Sequence, residues 1–298
     1  MNAGPARLPE ESTERRAAGY HDGDVDVVLS VDDVAREAES LRAEIPEERL
    51  TELARGAPFL SVRELRAGYG NMEILHGFTL HVARGQSVCL IGPNGAGKST
   101  VLHSIYGFTR IYAGEVLVGE EGARRDITRL TPDRKLRDAR IAYILQDKSV
   151  FPEMTVEENL LMGGFLLHSR SKAKEAAERV FERNPRLAQR RRHPAKVLSG
   201  GERRLLEISR ALVMEPDVLL LDEPSIGLEP RYIDMVFEIL GRLQHEDGKT
   251  IVMVEQNAKK GLEFADVGYV LVSGQAALAG PGEELLRNPD VGRLFLGG

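Results

Sequence analysis

"SVCLIGPNGAGKST", residues 87–100, decides the fold. An apolar run of strand length enters a glycine-rich turn, and "STVLHSIYGF" leaves it with the composition of a helix. The turn comprises Gly92, Pro93, Asn94, Gly95, Ala96, Gly97, Lys98, Ser99 and Thr100, and it fits G-x-x-x-x-G-K-[ST]. Glycines at these positions let successive backbone N–H groups turn inward around phosphate oxygens, beside the positive end of the following helix. On that reading Lys98 reaches the β- and γ-phosphates of a nucleotide and the Ser99 hydroxyl ligates Mg2+. The alternative is a chance glycine turn, and strand and helix in their proper places argue against it. The glycines at 92, 95 and 97 do not make G-x-G-x-x-G, which disfavours a dinucleotide fold.

Outward from the loop, "VLLLDEP" (218–224) supplies what the loop lacks. Asp222 ends an apolar strand, where a carboxylate is costly unless paired, and a metal ion would pair with it. Glu223 follows and can take a proton from an attacking water, as a general base must. An acidic pair at a strand end is often a helix cap, but a phosphate loop in the same chain favours the catalytic reading. "LSGGERR" (198–204) opens a helix with Ser199, Gly200 and Gly201 and makes a second anion site. Two phosphate-binding surfaces in one chain make sense when two chains share each nucleotide.

Composition limits the alternatives. The chain has 298 residues, 42% hydrophobic and 29% charged, room for one large domain or two modest ones. Its one cysteine, Cys89, forbids an intramolecular disulfide framework and reads as a small buried hydrophobe. No apolar run approaches the roughly 20 residues that span a bilayer, so work at a membrane requires a spanning partner. The N-terminal residues have no apolar core of the kind a secretory signal needs. Residues 1–57 hold 14 acidic and 7 basic side chains, so the net charge of −6 resides there and the remainder is near neutral. A near-neutral body gives no support for nucleic-acid binding. The densest basic cluster, Arg190-Arg191-Arg192-His193, reads as a solvated helix end. The seven histidines show no metal-ligand spacing.

The same patterns divide the chain. Residues 1–57 read as an acidic extension, with residues 1–24 expected to lack order. Val31, Val34, Ala38, Leu41 and Ile45 then line one helical face. That segment either lies on the chain's own body or frays as a tail, the reading favoured here, or serves as a docking or regulatory helix. Pro46 re-caps it before "EERLTELAR". The main body, residues 58–298, starts with alternating strands "FLSVRELRAGYG" and "FTLHVARGQSVCLIG". "GEVLVG" and "RIAYILQ" read as further strands with a short helix, "TPDRKLRDA", between them. Residues 155–215 read as helical throughout, opened by a capping box of Thr155 and Glu158. "DVLLLDEP" and "TIVMVEQ" are apolar runs suited to strands covered on both faces. The expected fold is α/β, a P-loop NTPase core with an antiparallel β subdomain and an inserted helical subdomain near 155–215.

Together the phosphate loop, "LSGG", "LLLDEP" and a glutamine after an internal strand resemble the nucleotide-binding subunit of ABC transporters over about residues 59–298. The resemblance implies that Tyr69 stacks on adenine. It implies that Gln146 senses Mg2+ and the γ-phosphate, with Ser99 and Asp222 as the other metal contacts. Ser199, Gly200, Gly201 and Glu202 match the signature that clamps the nucleotide of the opposite subunit. "FPEMTVEENLLMGGF", "VEQNA" and "LFLGG" look like the branched-chain amino-acid importer branch, which importers for urea and short amides also resemble. The implied machine is an ATPase on the cytoplasmic membrane face. Its partners would be two transmembrane permease subunits, a second ATP-binding subunit and an extracytoplasmic solute-binding protein, with no nucleic acid. Its cofactors would be ATP and Mg2+. The segment "DKSVFPEMTVEEN" is the candidate permease groove, where Val150, Phe151 and Met154 are either exposed apolar contacts or ordinary interior packing.

Four positions depart from the general pattern. Glu202 replaces the glutamine that ends the signature, and Glu229 stands where many relatives have aspartate. Gln256 stands in the switch-histidine position, and Gln146 is kept where many members of the branch have glutamate. A glutamine amide can still donate to a phosphate oxygen but carries no charge and shuttles no proton. With Glu223 and Lys98 both present, a working catalytic set of Glu223, Gln256 and Gln146 is expected. A soluble ABC ATPase without a permease and a regulatory nucleotide-binding subunit are the rival readings.

Overall fold

The computed structural model describes residues 45–146 and 149–296. Residues 1–24, the positions from Val31 to Leu41, and Asp147 and Lys148 lie outside the described residues.

The strands sort into two sheets. One is antiparallel: β1 (Pro58–Tyr69) lies between β2 (Met72–Ala83) and β4 (Arg110–Val118), with β5 (Arg125–Asp126) at the edge. The other runs β10-β9-β3-β8-β7-β6, with β3 (Ser87–Ile91) and β8 (Thr250–Val254) central. There β6 (Ile141–Ile144), β7 (Val218–Asp222), β8, β3 and β9 (Val267–Val272) are parallel, and β10 (Gln275–Pro281) pairs antiparallel to β9. Successive side chains of a strand point to opposite faces, and here both faces are covered. Val88, Leu90, Val218, Leu220, Val252 and Val254 join the core toward the antiparallel sheet. Cys89, Ile91, Leu219, Leu221, Ile251 and Met253 join the core under the helical block. Two covered faces explain why these strands read as unbroken apolar runs. Burial also pushes the Cys89 thiol well above its usual range, so it packs as an inert hydrophobe.

The helices are α1 (Glu47–Leu53), α2 (Lys98–Tyr106) after the glycine loop, and α3 (Pro132–Arg137). The block expected to be helical throughout 155–215 is instead interrupted. It holds α4 (Val156–Gly163), α5 (Arg170–Arg183), α6 (Pro185–Gln189), a 3-10 turn at Ala195–Val197, and α7 (Gly200–Leu212). Pro185 and Pro194 lack the N–H that would continue a helix. Gly163 lies so close to α7 that a Cβ there would stand 2.4 Å from the Arg210 carbonyl oxygen. The capping box at Thr155 and Glu158 opens α4 as expected. The basic cluster after α6 is more than a solvated end: Arg191 pairs with Glu157 and Glu178, and Arg190 with Glu202. Beyond β7 come α8 (Pro230–His245), α9 (Ala258–Phe264), α10 (Gly282–Arg287) and α11 (Pro289–Phe295). No helix among the described residues is long and apolar enough to cross a membrane.

The acidic extension does not stop short of the body. Leu50, Leu53 and Ala54 are buried, and the Gln86 amide donates to the Leu53 carbonyl at 2.7 Å. The packed unit therefore reaches back ahead of residue 58. Replacing Leu50 with alanine is expected to cost about 2–5 kcal/mol, the usual range for a buried leucine. A urea unfolding curve of the full chain measures it, and an unchanged midpoint would mean that α1 adds nothing to the folded body.

Candidate functional site

Four loops leave the carboxyl ends of the adjacent parallel strands β3, β8, β7 and β6, and that is where an open α/β sheet binds ligands. After β3 the chain enters the glycine loop at Gly92, with φ 146°. A Cβ there would stand 2.2 Å from the Leu271 carbonyl oxygen, so only glycine lets the loop hug β9. Gly97, at φ 98°, is the left-handed residue that turns the chain into α2. The first N–H groups of a helix have no intrahelical partners and face outward from its start. Ala96 is anchored from behind, its carbonyl accepting from Gly274 N at 2.9 Å.

Lys98 folds back over the loop and donates to the carbonyls of Gly92 and Pro93 at 2.8 and 2.9 Å. Burial lowers its pKa, while Glu223 and Asp222 pull it back up. The Ser99 hydroxyl donates to Asp222 Oδ1 at 3.0 Å. Asp222 is buried at the last position of β7, and its second oxygen accepts from the Tyr143 hydroxyl at 3.0 Å. Glu223 leaves the strand at φ 45°, a left-handed conformation that side-chain-bearing residues avoid. Its N–H is held by the Val254 carbonyl at 2.9 Å, so the neighbouring strand maintains the strained turn. The Gln146 amide, just past β6, donates to Glu223 Oε2 at 2.9 Å. Burial first, then the Asp222 charge, raises the pKa of Glu223, with Lys98 opposing.

The structure thus brings together residues 92–100, Gln146, Asp222 and Glu223. Gln256 is exposed on the loop after β8. That loop is set by Glu255, a buried carboxylate that sequence reasoning missed. It accepts from Ser225 N at 2.9 Å and Asn257 N at 3.2 Å, stitching the loop after β7 to the loop after β8. Tyr143 was also missed; a hydroxyl-bearing ring in a short apolar strand was its only sequence signal. So was Arg204, buried at the start of α7. It donates to the carbonyls of Leu145 and Pro224, both at 3.1 Å, and to Glu207 at 2.7 Å. One guanidinium thereby ties the signature helix to the loops that carry Gln146 and Glu223.

The signature residues lie apart from these contacts. Ser199 caps α7, accepting from Glu202 N at 3.2 Å. Glu202, expected to face a nucleotide, is turned onto its own helix start. One oxygen accepts from Ser199 N at 2.9 Å and the other from Arg190 at 3.3 Å. Glutamate here completes a capping box, as glutamine also would, and its charge adds the ion pair with Arg190. Gly201 has no room for a side chain, because the Tyr232 ring would lie 2.2 Å from its Cβ. Tyr69 is exposed at the end of β1, with its hydroxyl 2.5 Å from His103 Nδ1. Of the expected docking residues Phe151 is exposed, Met154 is half-buried, and Val150 is buried in the core beneath the helical block. Exposure is set aside for Val150, which takes the packing alternative where the chain enters the helical block.

Chemically the site combines an anion cradle, a cation, a buried carboxylate beside a hydroxyl, and a second carboxylate with raised pKa. Mg2+ binds through one or two carboxylates and keeps several waters. Asp222 with the Ser99 hydroxyl suits that habit, and no group of three or more His, Cys, Asp or Glu side chains among the described residues offers another metal site.

The ABC transporter family matches residues 75–226. The chain is similar to the high-affinity branched-chain amino acid transport ATP-binding protein BraG of Pseudomonas aeruginosa. The two are 40% identical over 245 residues, 80% of this chain and 100% of that protein. It is similar to the probable branched-chain amino acid transport ATP-binding protein LivF of Archaeoglobus fulgidus, 35% identical over 78% of this chain and 97% of that one. Among solved structures it is similar to a nucleotide-free ATP-binding cassette from an ABC transporter. The TM-score is 0.70 at 28% identity, covering 81% of this chain and 100% of that one. A cassette in its ADP conformation matches with TM-score 0.70 at 30% identity, covering 81% and 99%.

Proposed function

The chain belongs to the ABC transporter ATP-binding family, and from that premise we propose that it hydrolyses ATP to drive import of amino acids, branched-chain ones first. The observation that carries the catalytic reading is the end of β7. There the Ser99 hydroxyl meets Asp222 at 3.0 Å and the Gln146 amide meets Glu223 at 2.9 Å. The loop N–H groups and Lys98 hold the phosphates. Ser99 and Asp222, with Gln146 nearby, would hold Mg2+, which when bound neutralises phosphate charge. Glu223 accepts the proton of the attacking water, and burial together with the Asp222 charge raises its pKa and so makes it a stronger base. The Gln146 amide orients that carboxylate. Gln256 donates to phosphate from the loop that Glu255 holds, without moving a proton. Ser199 and the N–H groups of Gly200 and Gly201 clamp the nucleotide of a second ATP-binding subunit, and Tyr69 stacks on the base.

The branch assignment rests on the two branched-chain amino acid transport proteins at 40% and 35% identity. The working assembly adds two permease subunits and an extracytoplasmic solute-binding protein, with this chain peripheral on the cytoplasmic face. Exposed apolar side chains around the Gln146 loop and helical block, Leu145, Phe151, Met162 and Phe165, support a permease seat there.

Uptake of labelled leucine by cells lacking the endogenous gene and carrying this chain tests the proposal. Uptake restored by the wild type and absent without it is expected. Restored uptake of urea or a short amide alone would replace the cargo, and restoration of neither, nor of any other labelled amino acid, would remove the importer reading.

A further inference from the structure

Five aromatic rings, Tyr69, His103, Tyr106, Phe108 and Tyr143, crowd the mouth of the site, and His103 links Tyr69 to the others. Tyr69 is 41% exposed at the end of β1. Its hairpin turn is tight: a Cβ at Gly68 would stand 1.9 Å from the Met72 carbonyl oxygen. The backbone there is therefore fixed, while an exposed tyrosine ring would still rotate. His103 restrains it. The imidazole lies on α2, four residues after Ser99 and so on the same helical face. Its Nδ1 is 2.5 Å from the Tyr69 hydroxyl, and the two rings meet edge to face at 82°.

His103 is itself held. Its ring packs against Phe108 and Tyr143, with centroids 5.8 and 5.7 Å away. Tyr106 stacks on Tyr143 at 5.4 Å. The Tyr143 hydroxyl donates to Asp222, the carboxylate that also takes the Ser99 hydroxyl. One run of contacts therefore joins Tyr69, His103, Tyr143, Asp222 and Ser99. Burial lowers the pKa of His103, which favours the neutral ring whose Nδ1 can accept the tyrosine proton.

We propose that His103 is a positioning residue for base recognition: it locks the Tyr69 ring before a purine nucleotide arrives and fixes it relative to the phosphate end of the site. The inference rests on the reading of Tyr69 as the adenine platform. Its physical basis is preorganisation, since immobilising one free side chain on binding costs about 0.5–1.5 kcal/mol, a factor of roughly two to ten in affinity.

Calorimetric titration of the purified full chain with ADP and with inorganic pyrophosphate separates base binding from phosphate binding without turnover. His103→Phe keeps a ring and removes the acceptor. It is expected to weaken ADP about two- to tenfold and to leave pyrophosphate unchanged. Tyr69→Phe should do the same, and the double variant should be no weaker than either single one, because both remove one contact. His103→Gln, whose amide oxygen can accept from the tyrosine, should recover part of the loss. Unchanged ADP affinity in His103→Phe, additive losses in the double variant, or an equal loss of pyrophosphate would each overturn the proposal. Tyr69→Ala distinguishes the two levels. If it leaves ADP binding intact, the adenine assignment of Tyr69 fails; if it weakens ADP while His103→Phe does not, only the role of His103 fails.

Discussion

Replacing Glu223 with glutamine is expected to slow ATP hydrolysis by about 10²- to 10⁴-fold, the range a positioned general base supplies. Nucleotide affinity should hardly change. Glutamine keeps the shape and one acceptor for the Gln146 amide, which now bonds Glu223 at 2.9 Å. Single-turnover hydrolysis and nucleotide titration of the same preparation measure the two separately, and leucine uptake should be lost in step with hydrolysis. Retained hydrolysis would shift the proton acceptor elsewhere; Gln256 cannot replace it, because an amide takes no proton at neutral pH. The wild-type pH profile carries the same signature. The active form of Glu223 is the carboxylate, and burial together with the Asp222 charge raises its pKa. The rate should therefore fall, as pH drops, at a higher pH than an ordinary glutamate would give. That limb should vanish in Glu223→Gln.

Lys98→Ala is expected to weaken ATP binding by about 10²- to 4 × 10³-fold. Removing one partner of a buried ion pair costs about 3–5 kcal/mol, and each 1.4 kcal/mol is tenfold. The ammonium is largely buried, and its pKa is lowered by that burial, so an anionic phosphate is the partner that best compensates for its desolvation. Its present acceptors, the Gly92 and Pro93 carbonyls, also hold the loop's shape. Circular dichroism should nonetheless show a folded chain, because the loop stays anchored through Gly274 N to the Ala96 carbonyl at 2.9 Å. Binding within tenfold of wild type would mean that the backbone cradle, rather than the lysine, carries phosphate recognition.

The site divides by how local its physics is. Residues 92–100 were legible because the glycines, the lysine and the hydroxyl act through one turn of chain between one strand and one helix. Asp222 and Glu223 were legible because a carboxylate at the end of an apolar run is costly wherever that strand lies. Thr155 and Glu158 formed their capping box for the same reason: the partners are three residues apart. The same local rule holds for Ser199 and Glu202, yet there the family resemblance drew attention away from it, and Glu202 was assigned outward when its carboxylate closes on its own helix.

What the sequence determined alone was the class of fold, the strand, loop and helix around residues 87–106, the apolar strands β7 and β8, and the residues whose chemistry needs only close neighbours. Apolar period and turn composition are properties of short segments. The tertiary structure decided which loops share the site, through the strand order that sets β3, β8, β7 and β6 side by side. It also decided that Tyr143 and Ser99 meet on Asp222, and that Glu255 ties two loops together. Arg204 reaches across from the helical block, Val150 turns inward, and α1 belongs to the core. Each of these joins segments far apart in the chain, and no periodicity encodes a contact between side chains whose proximity exists only once the sheet has formed.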